Sequence, residues 1–257
     1  MAARSRRRRR RPEPPGARVV EVWSGRGGPD KVERVVITRS LATPWRRLVA
    51  WLDMLVVDHG LVRLVHPNWG EVAPGVFRSA QPTPQQLRRA VHRHGIKTVL
   101  NLRAERNCGA FVLEEEACAA LGVDLVNVRV RSRDVPTKEL IWTLERLFRD
   151  VEKPVLMHCK SGADRTGIAG ALYLLLVEGR PVAEATRQLS KRYGHIRQAK
   201  TGVLDYVFER YVQDHAREPR AFRDWVREVY DPVVVKRDFL ARWRGRWFGL
   251  DLAFWRE

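Results

Sequence analysis

The chain has 257 residues, 44% of them hydrophobic, with 48 Lys and Arg against 30 Asp and Glu and a formal net charge of +18. That length allows one sizeable core with extensions, and the charge favours anionic partners: phosphorylated substrates, an acidic membrane surface or nucleic acid. Three scattered cysteines, Cys108, Cys118 and Cys159, argue against a disulfide framework or a cysteine zinc site and suit a reducing compartment.

Arg6 to Arg11 form an unbroken run of six. Such a block repels itself, so residues 1–17 are expected to be a disordered basic tail. No apolar stretch follows it, so no secretory leader is expected. Residues 18–38 contain two β-like runs, VVEVW and ERVVIT, and read as a hairpin. The apolar stretch 48–65 is interrupted by Asp53, Asp58, His59 and Arg63, which argues against a bilayer span. Residues 44–65 instead read as one amphipathic helix, opened by Pro44 after Thr43 as cap. Together, residues 18–69 form an expected N-terminal extension, and a cytoplasmic location is expected.

From residue 70 the pattern is more regular. EVAPGVFRSA gives two short strands about a Pro-Gly turn, and TPQQLRRAVHRHG a helix with Thr83 as cap, Pro84 in the first turn and Gly95 as stop. IKTVLNL reads as a buried strand, LEEEACAALG as a helix, VDLVNVRV as a strand and PTKELIWTLERLFRD as an amphipathic helix. KPVLMHC is then a strand and TGIAGALYLLLVEG a buried helix starting near Thr166, with further helices over 182–214. This alternation implies an α/β fold, a mostly parallel twisted sheet of about four to five strands flanked by helices. It places one domain over 70–215, followed by a basic-aromatic helical extension over 216–257 whose expected role is packing on that domain.

The chemistry concentrates in HCKSGADRTG, residues 158–167. In a loop between a buried strand and a buried helix, Gly162 lets successive N–H groups turn inward as an anion nest. The helix N-terminus adds its positive end, and Arg165 offers a bidentate fork to phosphate oxygens. A cysteine at the centre of that field is expected to be a thiolate ready for attack on phosphorus.

His158-Cys159, five residues, then Arg165-Thr166-Gly167 resembles the loop of the cysteine-dependent protein tyrosine and dual-specificity phosphatases. VFRSAQPTPQQL, GIKTVLNLR, RYGHIRQAKTGVLDYV and the upstream DHGLVR extend the likeness, to a bacterial dual-specificity-like branch, over roughly residues 50–235. The resemblance implies a phosphomonoester hydrolase needing no metal or cofactor, with Cys159 as nucleophile forming a phosphocysteine and Arg165 binding the phosphoryl group. It implies that Thr166 gives a hydroxyl to the sulfur, and that His158 orients the loop instead of acting as base. Lys160, Ser161, Gly162, Ala163, Asp164 and Arg165 would form the phosphate-binding loop. Such enzymes need a general acid. Asp134, in the segment between a strand and the next helix, is the candidate; Asp164 is the rival, better suited to holding loop geometry.

The interior of the loop bears on substrate. Lys160 after the cysteine resembles phosphoinositide phosphatase loops, but the second lysine of that pattern is Ala163 here. The expected substrate is therefore a phosphotyrosine or dual-specificity protein target, with a phosphoinositide or inositol phosphate as alternative and a non-catalytic phosphate-binding adaptor as a further one. Arg78, Ser79, Gln81, Arg103 and Gln198 are candidate site-lining residues, and Trp69, Phe77, Phe111 and Tyr193 candidate cleft walls. The basic and Trp-rich tails suit contact with an anionic membrane; no nucleic-acid module accompanies the charge.

Overall fold

The computed structural model describes Leu41 and residues 43–244. The expected basic tail, the hairpin over 18–38 and the end of the C-terminal extension lie outside the described residues.

Five strands form one sheet: β1 (Gly70–Ala73), β2 (Val76–Ala80), β3 (Thr98–Asn101), β4 (Asp124–Asn127) and β5 (Val155–Cys159). Their spatial order is β1-β2-β5-β3-β4, with β1 antiparallel to β2 and every other pairing parallel. The mostly parallel α/β sheet expected from the alternation is therefore present. All five residues of β5 are buried, as a central parallel strand covered on both faces requires. Ligands of such sheets bind beyond the carboxyl ends of the strands, and Cys159 ends the central one.

The helices follow their sequence signals closely. In α3 (Pro84–His94) Thr83 and Gln86 form a reciprocal capping box and Gly95 closes the helix at φ 64. α5 (Lys138–Asp150) starts on the Thr137 cap. α4 (Gly109–Leu121) begins four residues before the expected Leu113, because the Gly109 N–H donates to Asp53 Oδ2 at 2.6 Å. A Cβ at Gly109 would lie 2.1 Å from the Ala50 carbonyl oxygen, so the glycine marks close packing there, not a break.

The helix expected over 44–65 is divided. α1 (Pro44–Leu52) runs into a π-helical turn, Asp53–Val57, and α2 (Gly60–Val65) resumes after His59 at φ 55. The break exposes Asp58 to distant partners. Leu41, Ala50 and Met54 pack with Phe77, Val99 and Phe111 on one side of the sheet. On the other, α6 (Asp164–Leu176), α7 (Val182–Ala185), α8 (Val203–Arg217), α9 (Phe222–Glu228) and α10 (Pro232–Arg244) enclose a second cluster that includes Tyr173, Phe208, Trp225 and Tyr230. Among the described residues no helix is long and apolar enough to cross a membrane.

Candidate active site

β5 ends at Cys159, and α6 begins at Asp164, two residues earlier than expected, so Arg165 stands in its first turn. The four residues between them form a loop whose carbonyls are all tied away from its centre. The Gln81 N–H donates to the Lys160 carbonyl at 3.3 Å. Asn68, in the left-handed region at φ 52, donates its amide to the Ser161 carbonyl at 2.8 Å. Arg78 Nη2 donates to the carbonyls of Gly162 at 2.6 Å and Ala163 at 3.3 Å. With the carbonyls held outward, the peptide units present their N–H groups to the opposite side, the requirement for an anion nest. Gly162 is obligatory here: its φ is +71, and a Cβ would stand 2.6 Å from the Ala80 backbone nitrogen.

Arg78 is fully buried on β2. Its other nitrogen donates to Gln188, at 2.8 Å to the carbonyl and 2.6 Å to Oε1, and its guanidinium lies 3.6 Å from the centroid of the Tyr193 ring. Burial lowers its pKa to about 10. Tyr193, a candidate cleft wall, thus supports Arg78. Of the other aromatic candidates, Phe77 and Phe111 are buried, and Trp69 is half-buried and stacks on Phe77 and His94 with centroids 5.4 and 5.0 Å apart.

A second polar chain runs beneath the site. His158 is fully buried, with Nε2 2.8 Å from Glu114 Oε1, a close contact without hydrogen-bond angles. Gln81 donates to Glu114 Oε2 at 2.8 Å, and Arg103 donates to Gln81 Oε1. Arg103 also grips Asp58 bidentately at 2.7 and 2.8 Å, and Arg63 donates to the same carboxylate at 2.8 Å. Burial pushes the Asp58 carboxyl up, but the guanidiniums of Arg103 and Arg63 outweigh it and hold the group well below the usual carboxylate range. Lys160 Nζ lies 3.7 Å from Asp58. Lys160 thus keeps its backbone in the loop while its ammonium stands beside Asp58.

Asp164 is likewise engaged. It is 2.7 Å from His195 Nδ1, while His195 Nε2 is 2.6 Å from Asp205. The rival to Asp134 is therefore a tether between the loop and the segment before α8. Burial opposes charge on His195, yet bonds to two carboxylates prevail and raise its pKa to about 9. A histidine ordinarily titrates near ~6.5. Its folded-state value is higher, so the stabilisation is fully present below that unfolded value and is lost as pH rises through about 9. The thermal midpoint is expected to fall between those two pH values, and the fall to be clearly smaller in His195→Gln; equal slopes in a calorimetric pH series would contradict this. Gln198, the residue of this segment singled out from sequence, is exposed, and its carbonyl accepts from Trp243 Nε1 at 3.3 Å.

Arg165 is 8% exposed and lines a cavity of about 350 Å³. Asp134 lines the same cavity. Its carboxylate is 2.9 Å from Lys236 Nζ on α10 and 3.5 Å from Arg131 Nη1. Tyr230 donates to the Pro136 carbonyl at 2.6 Å and Lys138 to the Arg227 carbonyl at 2.9 Å, so the chain around α9 and α10 fixes the Asp134 segment. Cys159 is 2% exposed and a free thiol. The Thr166 hydroxyl is buried and makes no hydrogen bond among the described residues. The bond to sulfur implied by the resemblance is thus not formed here.

A cysteine ending the central parallel strand, a loop with its carbonyls drawn back and an arginine in the first turn of the following helix together form a site suited to holding an anion beside a thiol. The chain belongs to the family described as DSP-PTPase phosphatase fused to NAD+ kinase, whose model matches residues 68–202. Two curated relatives are the dual specificity protein phosphatases TpbA of Pseudomonas aeruginosa. The protein of strain UCBPP-PA14 is 32% identical over 116 residues, 44% of this chain and 48% of that protein. That of strain PAO1 is 29% identical over 157 residues, 60% of each chain. The matches thus span about half to three-fifths of these relatives' length. Similar solved structures include P. aeruginosa TpbA, with 21% identity and TM-score 0.45 over 67% of this chain and 91% of that one. Another is the core catalytic domain of the PP-IP phosphatase SIW14 from S. cerevisiae, with 19% identity and TM-score 0.43 over 69% and 94%.

Proposed function

We propose that the chain hydrolyses phosphomonoesters through a phosphocysteine intermediate, as a protein tyrosine or dual-specificity phosphatase. The observation that carries the reading is the loop from Cys159 to Arg165, with the carbonyls of residues 160–163 bonded outward and Arg165 facing the cavity.

The Cys159 thiolate attacks phosphorus, forming the S–P bond as the P–O bond to the leaving group breaks. Arg165 and the inward N–H groups take up the equatorial oxygens, with most effect where charge develops in the transition state. Asp134, on the rim of the same cavity, gives its proton to the departing oxygen. In the second step water attacks phosphorus, Asp134 takes back a proton, the S–P bond breaks and inorganic phosphate leaves. His158 acts as a positioning residue: a fully buried ring pressed against Glu114 supports β5 from within and has no route to substrate. Asp164 supports the loop through His195.

Substitution Asp134→Asn tests the acid role. Turnover of an alkyl phosphate or phosphotyrosine peptide should fall by about 10²–10⁴-fold, the usual worth of general acid catalysis. An aryl phosphate with a nitrophenolate leaving group, which needs no proton, should lose far less. Equal losses on both would remove Asp134 from this role. No membrane contact through the tails is proposed, because the basic N-terminal tail and the end of the Trp-rich extension lie outside the described residues.

A further inference from the structure

The segment before β1 turns its large apolar side chains outward, the reverse of a helix packed on a core in water. In α1 and the π-helical turn that follows, Ala50 and Met54 pack into the core. Trp45, Leu48, Leu52 and Val56 are all exposed, Trp45 by 69%. Their spacings of three, four and four put them on one helix face, opposite the buried pair. α2 repeats the inversion. Its buried residues are Gly60 and Arg63, while Leu61, Val62, Leu64 and Val65 stand in solvent, Val65 by 85%. Close packing fixes this orientation. A Cβ at Gly60 would lie 2.4 Å from the Met54 carbonyl oxygen, and Arg63 is drawn inward by Asp58 at 2.8 Å.

Monomeric soluble proteins rarely expose an apolar surface of this kind without a use for it. The charge around it is of one sign. Both carboxylates of the segment are turned inward: Asp53 accepts from the Gly109 N–H, and Asp58 is held by Arg63 and Arg103. Arg46 on α1 and Arg88, Arg89 and Arg93 on α3 are exposed and pair with no carboxylate among the described residues. Arg89 and Arg93 share the α3 face of Gln86, whose amide donates to the Arg63 carbonyl on α2 at 3.1 Å. A second copy of this chain, itself at +18, would bring like charge against that rim. We propose that α1 and α2, with the arginines of α3, dock the protein on the surface of an anionic bilayer. The apolar side chains enter the boundary between headgroups and acyl chains, and the arginines meet lipid phosphates. Trp45 suits that boundary. The helices lie on the membrane and do not span it, since no described helix is long and apolar enough to cross. This docking face is independent of the phosphatase reading.

The test is cosedimentation of the full chain, at about 0.15 M salt, with vesicles of phosphatidylcholine alone or mixed with phosphatidylglycerol. Wild type should bind the mixed vesicles more tightly than the neutral ones by about tenfold or more, what a few cations near an acidic surface supply. Leu48→Gln, Leu52→Gln and Val65→Gln together leave the net charge and the Arg-rich N-terminus untouched. They should weaken binding to the mixed vesicles by about tenfold or more, because three apolar side chains no longer gain from leaving water. These side chains already face solvent, so the thermal midpoint of the variant should match that of wild type. Arg89→Gln and Arg93→Gln should each weaken binding by about fivefold. Equal binding to both kinds of vesicle, or a triple variant that binds as tightly as wild type, would overturn the proposal. A wild type that ignores both vesicles but forms a dimer in sedimentation equilibrium, lost in the triple variant, would assign the face to a second copy and overturn it as well.

Discussion

Replacing Cys159 by serine is expected to abolish turnover, lowering kcat by more than about 10³-fold, while phosphopeptide binding persists. A hydroxyl is far harder to ionise than a thiol, and neither nearby histidine is placed to take its proton. His158 is fully buried against Glu114, and His195 is held between Asp164 and Asp205. Nucleophile and loop act as a unit, so losing the nucleophile costs almost all of the covalent route. Binding survives because the oxygens of the phosphate are met by Arg165 and the loop N–H groups, which the substitution does not touch. Steady-state kinetics with an aryl phosphate, and calorimetry with a phosphopeptide, check both halves. Retained turnover would mean that attack does not come from Cys159.

Substitution of Arg78 should be nearly as damaging although the residue contacts no substrate. Its guanidinium bridges Gln188 on one side and the carbonyls of Gly162 and Ala163 on the other. In Arg78→Met the Gly162 carbonyl loses its donor and is free to swing toward the site, where it opposes an anion, while Ala163 keeps only its helix bond from the Gly167 N–H. A misplacement of ~1 Å in catalytic geometry costs on the order of 100-fold, and kcat is expected to fall by about that factor, with a smaller change in KM. Arg78→Lys should recover little, since one ammonium cannot span acceptors on both sides and stack on Tyr193 as the planar fork does. A positioning role predicts this split between kcat and KM; a purely structural role predicts a lower thermal midpoint with kcat per folded molecule unchanged. Kinetics on Arg78→Met below its own melting temperature distinguishes the two.

The parts of this site legible in the sequence are local. The frame from His158 to Gly167 is contiguous, and Thr83, Thr137, Gly95 and Gly122 act within one helical turn of themselves. What the sequence conceals is long-range pairing. Asp58 meets Arg103 across 45 positions, Gln81 meets Glu114 across 33, and Arg78 meets Gly162 across 84. No periodicity links such residues, because chain topology alone brings them together. Glu114 was hidden for a second reason: it lies within an acidic run, Glu114-Glu115-Glu116, that looks like a solvated helix face. Lys160 shows the same effect: it follows the cysteine in sequence, yet its ammonium lies 3.7 Å from Asp58 of the N-terminal segment.

The central claim is covalent catalysis by Cys159, and the most direct measurement is mass spectrometry of wild-type protein quenched in acid during turnover of an aryl phosphate. The account predicts one added phosphoryl group on the peptide containing Cys159, gained in wild type and missing from Cys159→Ser. Active turnover with that peptide unmodified, or with the phosphoryl group on another residue, would contradict it.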